Sequence, residues 1–237
     1  MSLFIYHTAS EVFILLVYVD DILVTRSSQK LISHFISYFH DKFALRDLGP
    51  LSYFLGIQAH RQGSILHLNQ QKYITDLLSR THMENSKPVP TPSSFGHTLS
   101  QLDGVPLPNP SEYRRTVGAL QYVTLTRPDI AFVVNKAYQF MSKPFDVHWL
   151  AIKQILRYLK GTLNLGLQFQ PTTSMELQGY SDADWASCLD DRRSTNGYYV
   201  FLDLNLISWS SSKQRLISKS SVESEYKGLV SLMAELV

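Results

Sequence analysis

Two adjacent carboxylates, Asp20 and Asp21, interrupt an apolar stretch that otherwise runs from Phe13 to Val24. Paired acids between apolar strands repel each other and resist desolvation, so the chain must either turn there into water or close around a divalent cation. An exposed hairpin tip meets both conditions and predicts a strand on each side of the pair. Asp is also a common turn residue, used for its local hydrogen bonds. A turn chosen for shape alone usually brings Gly or Asn, and Tyr18-Val19-Asp20-Asp21 has neither.

The tetrad in its hairpin setting resembles the Tyr-Val-Asp-Asp box of reverse transcriptases, in the form used by copia-type retrotransposons. That resemblance implies that Asp20 and Asp21 hold Mg²⁺ at a primer 3′ end and that Tyr18 touches nucleic acid.

A chain of 237 residues, 44% of them hydrophobic, can bury a sizeable core as one large domain or two small ones. The longest apolar run, Val12 to Val19, is far shorter than the roughly 20 residues of a membrane helix, so no membrane partner is expected. No cationic segment leads into an apolar stretch and cleavage site, so no secretory signal is expected and the location is read as intracellular. A single cysteine, Cys188, excludes an internal disulfide and fits a reducing compartment. Net charge is +2, but it is unevenly spread. Residues 1–110 hold eight basic and eight acidic side chains, 111–171 eight and three, and 172–237 six and nine. The basic middle suits a phosphate backbone.

Periodicity predicts the remaining elements. After the hairpin, Ser27 and Ser28 offer an N-cap for a helix carrying Leu31, Phe35, Tyr38 and Phe39 to about Phe43. A second hairpin follows, Ser52 to His60 and Ser64 to Leu68, and then a helix from Gln70 to Thr81. Residues 84–110 hold six of the ten prolines and read as a loop or linker that wraps a surface or joins two subdomains. Helices are predicted at 111–125, 128–141 and 145–160, with Pro128 placed as a first helical residue. The last of these has an apolar stripe, Trp149, Ile152, Leu156 and Leu159, beside a cationic one, Lys153, Arg157 and Lys160. The cationic stripe is either a solvated face or a nucleic-acid contact. Strand-like runs at 163–169, 175–182, 197–202 and 206–209 precede a terminal helix, 220–237, with Val222, Tyr226, Leu229, Met233 and Val237 at helical spacing.

A second acidic group flanks that last segment. Asp182 and Asp184 end a predicted strand, and Glu223 and Glu225 open the terminal helix. Each pair alone is explained by turn chemistry or helix capping. Together they resemble the ribonuclease H domain of copia-type elements. The resemblance makes Asp182 and Glu225 metal ligands at an RNA phosphate in an RNA:DNA hybrid, and leaves Asp184 a neighbour that either supports the site or is merely solvated. Helical periodicity does not choose between Glu223 and Glu225. Further words in family order are Leu48-Gly49-Pro50-Leu51-Ser52-Tyr53-Phe54-Leu55-Gly56-Ile57, Val117-Gly118-Ala119-Leu120-Gln121-Tyr122, Arg127-Pro128-Asp129-Ile130, Arg192-Arg193-Ser194-Thr195-Asn196-Gly197-Tyr198 and Ile207-Ser208-Trp209-Ser210.

The expected fold is α+β. Residues 1–83 would form a C-terminal reverse-transcriptase palm with the start of a thumb, 84–110 a Pro-rich linker, 111–171 a helical thumb or connection, and 172–237 a truncated α/β ribonuclease H-like unit. The expected cofactor is Mg²⁺, and the expected partners are primer-template and RNA:DNA hybrid. Two-cation phosphoryl chemistry uses three or four carboxylates. The 17 residues before Tyr18 supply only Glu11, and the family's later ribonuclease H carboxylates lie beyond the helix of Glu225. Both sites are therefore expected to be incomplete, which leaves a non-catalytic nucleic-acid-binding remnant or an inert relic of a transposable element as alternatives. Comparable fragments occur in plant nuclear and mitochondrial genomes. Two departures from the family are expected to strain turns: Arg26, where Gly is usual, and Leu202-Asp203-Leu204, which lacks a Gly.

Overall fold

A computed structural model describes residues 2–8, 11–26, 29–40, 42–43, 46–93, 99–101 and 103–237, with the backbone alone at 26 and 29–34. The class is α+β, and the chain divides into two compact units, Met1–Leu55 and Gly56–Val237.

In the first unit β1 (Ser2–His7), β2 (Val12–Tyr18) and β3 (Asp21–Arg26) form an antiparallel meander, with β2 in the middle. The helix α1 (Gln29–His40) follows. Its proposed caps, Ser27 and Ser28, lie outside the described residues. Spacing of four puts Phe35 and Phe39 on one side of α1. Phe35 meets Phe13 of β2 with ring centroids 5.2 Å apart, and Phe39 in turn stacks on Phe43 at 5.6 Å. The sequence suggests a buried hairpin, but β2 is only half-buried, and Leu3, Phe4, Ile5 and Tyr6 of β1 are all more than half exposed. One helix cannot cover three strands. A two-residue strand, β4 (Tyr53–Phe54), ends this unit.

The second unit opens with the hairpin β5 (Ile57–Gln62) and β6 (Ile65–Asn69), whose turn uses Gly63 at φ +60°. The short β7 (Leu167–Phe169) returns from far along the chain to pair with β6. Helices α2 (Gln71–Arg80), α3 (Pro110–Val123), α4 (Ala131–Tyr138) and α5 (Asp146–Gly161) pack around Ile74, Val117, Leu120, Ile152, Leu156 and Leu159, all closed to solvent or nearly so. Each such side chain contributes about 1.5–3 kcal/mol by leaving water. Asn109 caps α3 by accepting from the Ser111 N–H at 3.0 Å, and Pro110 follows where a missing N–H costs nothing. Pro128 opens a 3₁₀ turn before α4 rather than α4 itself.

The remaining strands, β8 (Leu177–Asp184), β9 (Thr195–Leu202) and β10 (Asn205–Lys213), form a second antiparallel sheet with β9 central. The helix α6 (Ser221–Leu236) packs on β8 and β9. Its apolar stripe does not carry that contact. Ser224, Gly228 and Leu232 are buried instead, while Val222, Tyr226, Met233 and Val237 of the stripe are more than half exposed and Leu229 is exposed as well. The reason is proximity: a Cβ at Gly228 would sit 3.6 Å from Ala183 and Asn196, and a Cβ at Gly179 would come 2.9 Å from Leu232. A helix this near a strand admits small residues on its inner face.

Candidate functional sites

At the first acidic pair, Tyr18 and Asp21 face each other in register across β2 and β3, leaving Val19 and Asp20 as a two-residue turn. Val19 takes φ +49°, and Asp20 does not. A positive φ at the first turn position is one that Gly takes without steric cost. A β-branched residue in that conformation is strained, and Val19 is 80% exposed, so packing does not offset the strain. The turn holds Asp20 and Asp21 in water at the tip with Tyr18 beside them. Glu11, the only acid before the box, sits in the turn at the other end of β2, where its carbonyl accepts from the Thr8 N–H at 2.8 Å. Seven strand residues separate the two ends, roughly 23 Å. Among the described residues, no three His, Cys, Asp or Glu side chains gather to hold a metal.

At the second acidic group, Ser224 donates its hydroxyl to the Asp184 carbonyl at 3.3 Å, and Gly228 lies over Asp182 and Ala183. This seats the turn of α6 that carries Glu225 against the strand end that carries Asp182. Because Ala183 meets α6, alternation sends the Asp182 and Asp184 side chains to the opposite sheet face. Asp184 accepts from the Thr195 N–H and the Ser187 hydroxyl, which fixes the bend after β8. Glu223 accepts from the Lys219 N–H and pairs with Lys227, both at 2.8 Å. The Lys227 hydrogen bond, helped by the Lys219 N–H, holds its carboxyl below the usual range. Ser220 completes the cap by accepting from the Glu223 N–H. Asp182 and Glu225 are exposed and have no hydrogen-bond or ion-pair partner among the described residues. Capping therefore occupies Glu223 and leaves Glu225 open, a distinction periodicity does not make.

The cationic stripe of α5 does other work. Arg157 Nε donates to the Lys87 carbonyl and Lys160 Nζ to the Ser86 carbonyl, each at 2.7 Å, and Gln154 donates to the Thr91 carbonyl at 3.0 Å. These bonds strap the Pro-rich segment along α5. Lys153 has no such partner among the described residues. Farther along the same segment, buried His148 donates Nε2–H to the Ser100 carbonyl and accepts the Phe145 N–H at Nδ1.

The two expected turn strains divide. Arg26 continues β3 in register with Phe13 and has no left-handed backbone. Asp203 takes φ +52° between β9 and β10, so the missing Gly is a real departure there. Sequence reasoning did not find the aromatic row Tyr180, Tyr199 and Trp209, which register sets side by side across β8, β9 and β10. The available signal was the alternation of Tyr180, Asp182 and Asp184.

Residues 1–94 match the reverse transcriptase (RNA-dependent DNA polymerase) family. The chain is similar to the retrovirus-related Pol polyproteins from transposons RE1 and RE2 of Arabidopsis thaliana, 45% and 44% identical over 235 residues. Each match takes in 99% of this chain and 16% of the polyprotein, so the chain spans about one sixth of those relatives. An uncharacterized mitochondrial protein of A. thaliana is 44% identical over 222 residues, 94% of this chain and 92% of that protein. No solved structure matches. No helix among the described residues is long and apolar enough to cross a membrane.

Proposed function

Because this chain belongs to the Pol family of copia-type retrotransposons, we propose that it carries the catalytic-turn portion of an RNA-directed DNA polymerase followed by the opening of a ribonuclease H-like unit. The observation that carries the reading is the strained Tyr18–Asp21 turn, which presents two carboxylates to water at one tip. Carboxylate oxygens suit Mg²⁺. Asp20 and Asp21 would hold it at the primer end, where the cation neutralises developing phosphoryl charge. Tyr18, exposed beside the pair, would touch primer-template. In the second unit Asp182 would hold Mg²⁺ against the RNA strand of a hybrid, while Glu225, on the helix packed against the other face of β8, would join it only by reaching round the strand end. Lys153 is the member of the α5 stripe that would contact phosphate.

Both reactions need more oxygen ligands than these pairs provide, and Glu11 is too distant to complete the first. We therefore expect the isolated chain to perform neither reaction. The test is primer extension on an RNA template with Mg²⁺, using the full 237-residue chain. No extension is expected. Extension abolished by Asp20→Asn would show a working polymerase site and overturn this expectation.

A further inference from the structure

The face of the β8–β10 sheet turned away from α6 is only partly covered. Ala131 and Phe132 of α4 close one side, leaving a cavity of about 410 Å³ floored by Tyr180, Tyr199 and Trp209. That volume lies within the range of small-molecule sites. Trp209 is fixed by its indole N–H, which donates to the Thr124 carbonyl at 3.1 Å. Asp182 and Asp184 line the rim. The oxygens of Asp184 are engaged locally, whereas Asp182 has no partner among the described residues. No Lys or Arg is among the described residues that line the hollow. The Tyr199 phenol is held above its ordinary value chiefly by burial, with the charge of Asp129 second.

We propose that this cavity binds an organic cation, an alkylammonium or guanidinium group, seated on the aromatic row with its charge toward Asp182. Aromatic faces attract cations within about 6 Å, most strongly where water is partly excluded. A phosphate-bearing ligand would meet two carboxylates at the rim, and a bare metal ion would gain nothing from the aromatic floor. The cavity shares Asp182 with the proposed ribonuclease H site, so the titration is run without divalent metal, and binding of the organic cation does not depend on whether that site holds Mg²⁺.

The test is calorimetric titration of the full chain in EDTA with tetramethylammonium chloride, against tert-butanol as a neutral molecule of similar shape. Saturable binding of the cation alone is expected. Asp182→Asn and Tyr180→Ala, both at exposed positions, should each weaken it about fivefold. Spermidine and N-acetyl-arginine amide then distinguish a free polyamine from a protein side chain as the source, the tighter binder naming it. Equal binding of tert-butanol, unchanged affinity in both variants, or tighter binding of adenosine monophosphate would overturn the proposal.

Discussion

Arg127 lays the edge of its guanidinium against the carboxylate of Asp129 two residues away, Nε to Oδ1 at 2.9 Å and Nη2 to Oδ2 at 2.6 Å. Arg127 also donates to the carbonyl and hydroxyl of Thr162 at the end of α5, and Tyr158 donates its hydroxyl to Asp129 at 2.7 Å. The pair thus ties the break before α4 to α5. The Arg127 side chain is 1% exposed and that of Asp129 35%, so removing the carboxylate strands a buried cation.

Asp129→Asn should cost about 1–3 kcal/mol of stability, less than for a fully uncompensated buried charge, because Arg127 keeps its Thr162 acceptors and Asp129 is a third exposed. The pH dependence follows from two groups. Burial alone would raise the Asp129 carboxyl, but the Arg127 hydrogen bonds and charge, with the Tyr158 hydroxyl, hold it below its ordinary value. Its contribution is complete above about pH 4 and is lost as pH falls through the lowered native value. Burial likewise lowers His148 despite the Ser100 carbonyl and the charges of Asp190, Asp146 and Asp103. The native state therefore binds fewer protons than the unfolded chain, and stability begins to fall below about pH 6.5. Urea unfolding from pH 3 to 8 should show both windows, with Asp129→Asn removing the lower one and His148→Phe the upper.

Arg157→Ala and Lys160→Ala should each loosen the Pro-rich segment, at a cost of about 1–2 kcal/mol for a charged hydrogen-bond donor. Limited proteolysis should then cut within residues 84–93 faster than in the parent chain. Lys153→Ala should leave cleavage unchanged, and if the chain binds hybrid, it should reduce the salt dependence of that binding by about one phosphate contact. Faster cleavage in Lys153→Ala, or none in the other two, would contradict the strap.

Val19→Gly should stabilise the first hairpin or leave it unchanged, because release of about 1–2 kcal/mol of backbone strain opposes the entropic cost of Gly. Val17→Gly, inside β2 and in register with Ile22, has no strain to release and should destabilise by about 1 kcal/mol or more. Comparing the two variants by thermal unfolding reads the strain directly. Equal losses would mean that the turn is unstrained.

Local pattern made most elements legible. The helix expected at Gln70 to Thr81 runs from Gln71 to Arg80, and that expected at 145–160 runs from Asp146 to Gly161, since each carries one apolar stripe and clear boundaries. The strand β1 carries no such pattern: Ser2 to His7 shows no apolar and polar alternation and buries neither face. The strand expected at 163–169 shrinks to Leu167–Phe169, because its pairing partner is β6, a hundred residues earlier, and pairing decides its length.

By itself the sequence determined where the chain turns and what those turns carry. Two acids cannot sit between apolar strands without a bend, so Asp20 and Asp21 declare a tip, and the order of the longer motifs declares the Pol family. Tertiary structure alone decided which groups remain available for chemistry. Whether Glu223 or Glu225 is free depends on how Lys219 and Lys227 approach the start of α6. Whether a cationic stripe meets phosphate or a carbonyl depends on where a Pro-rich segment seventy residues away is laid. Which face of α6 is inside depends on how closely it can lie on β8. Spacing along a chain reports which residues share a face, and packing distance decides which face is used.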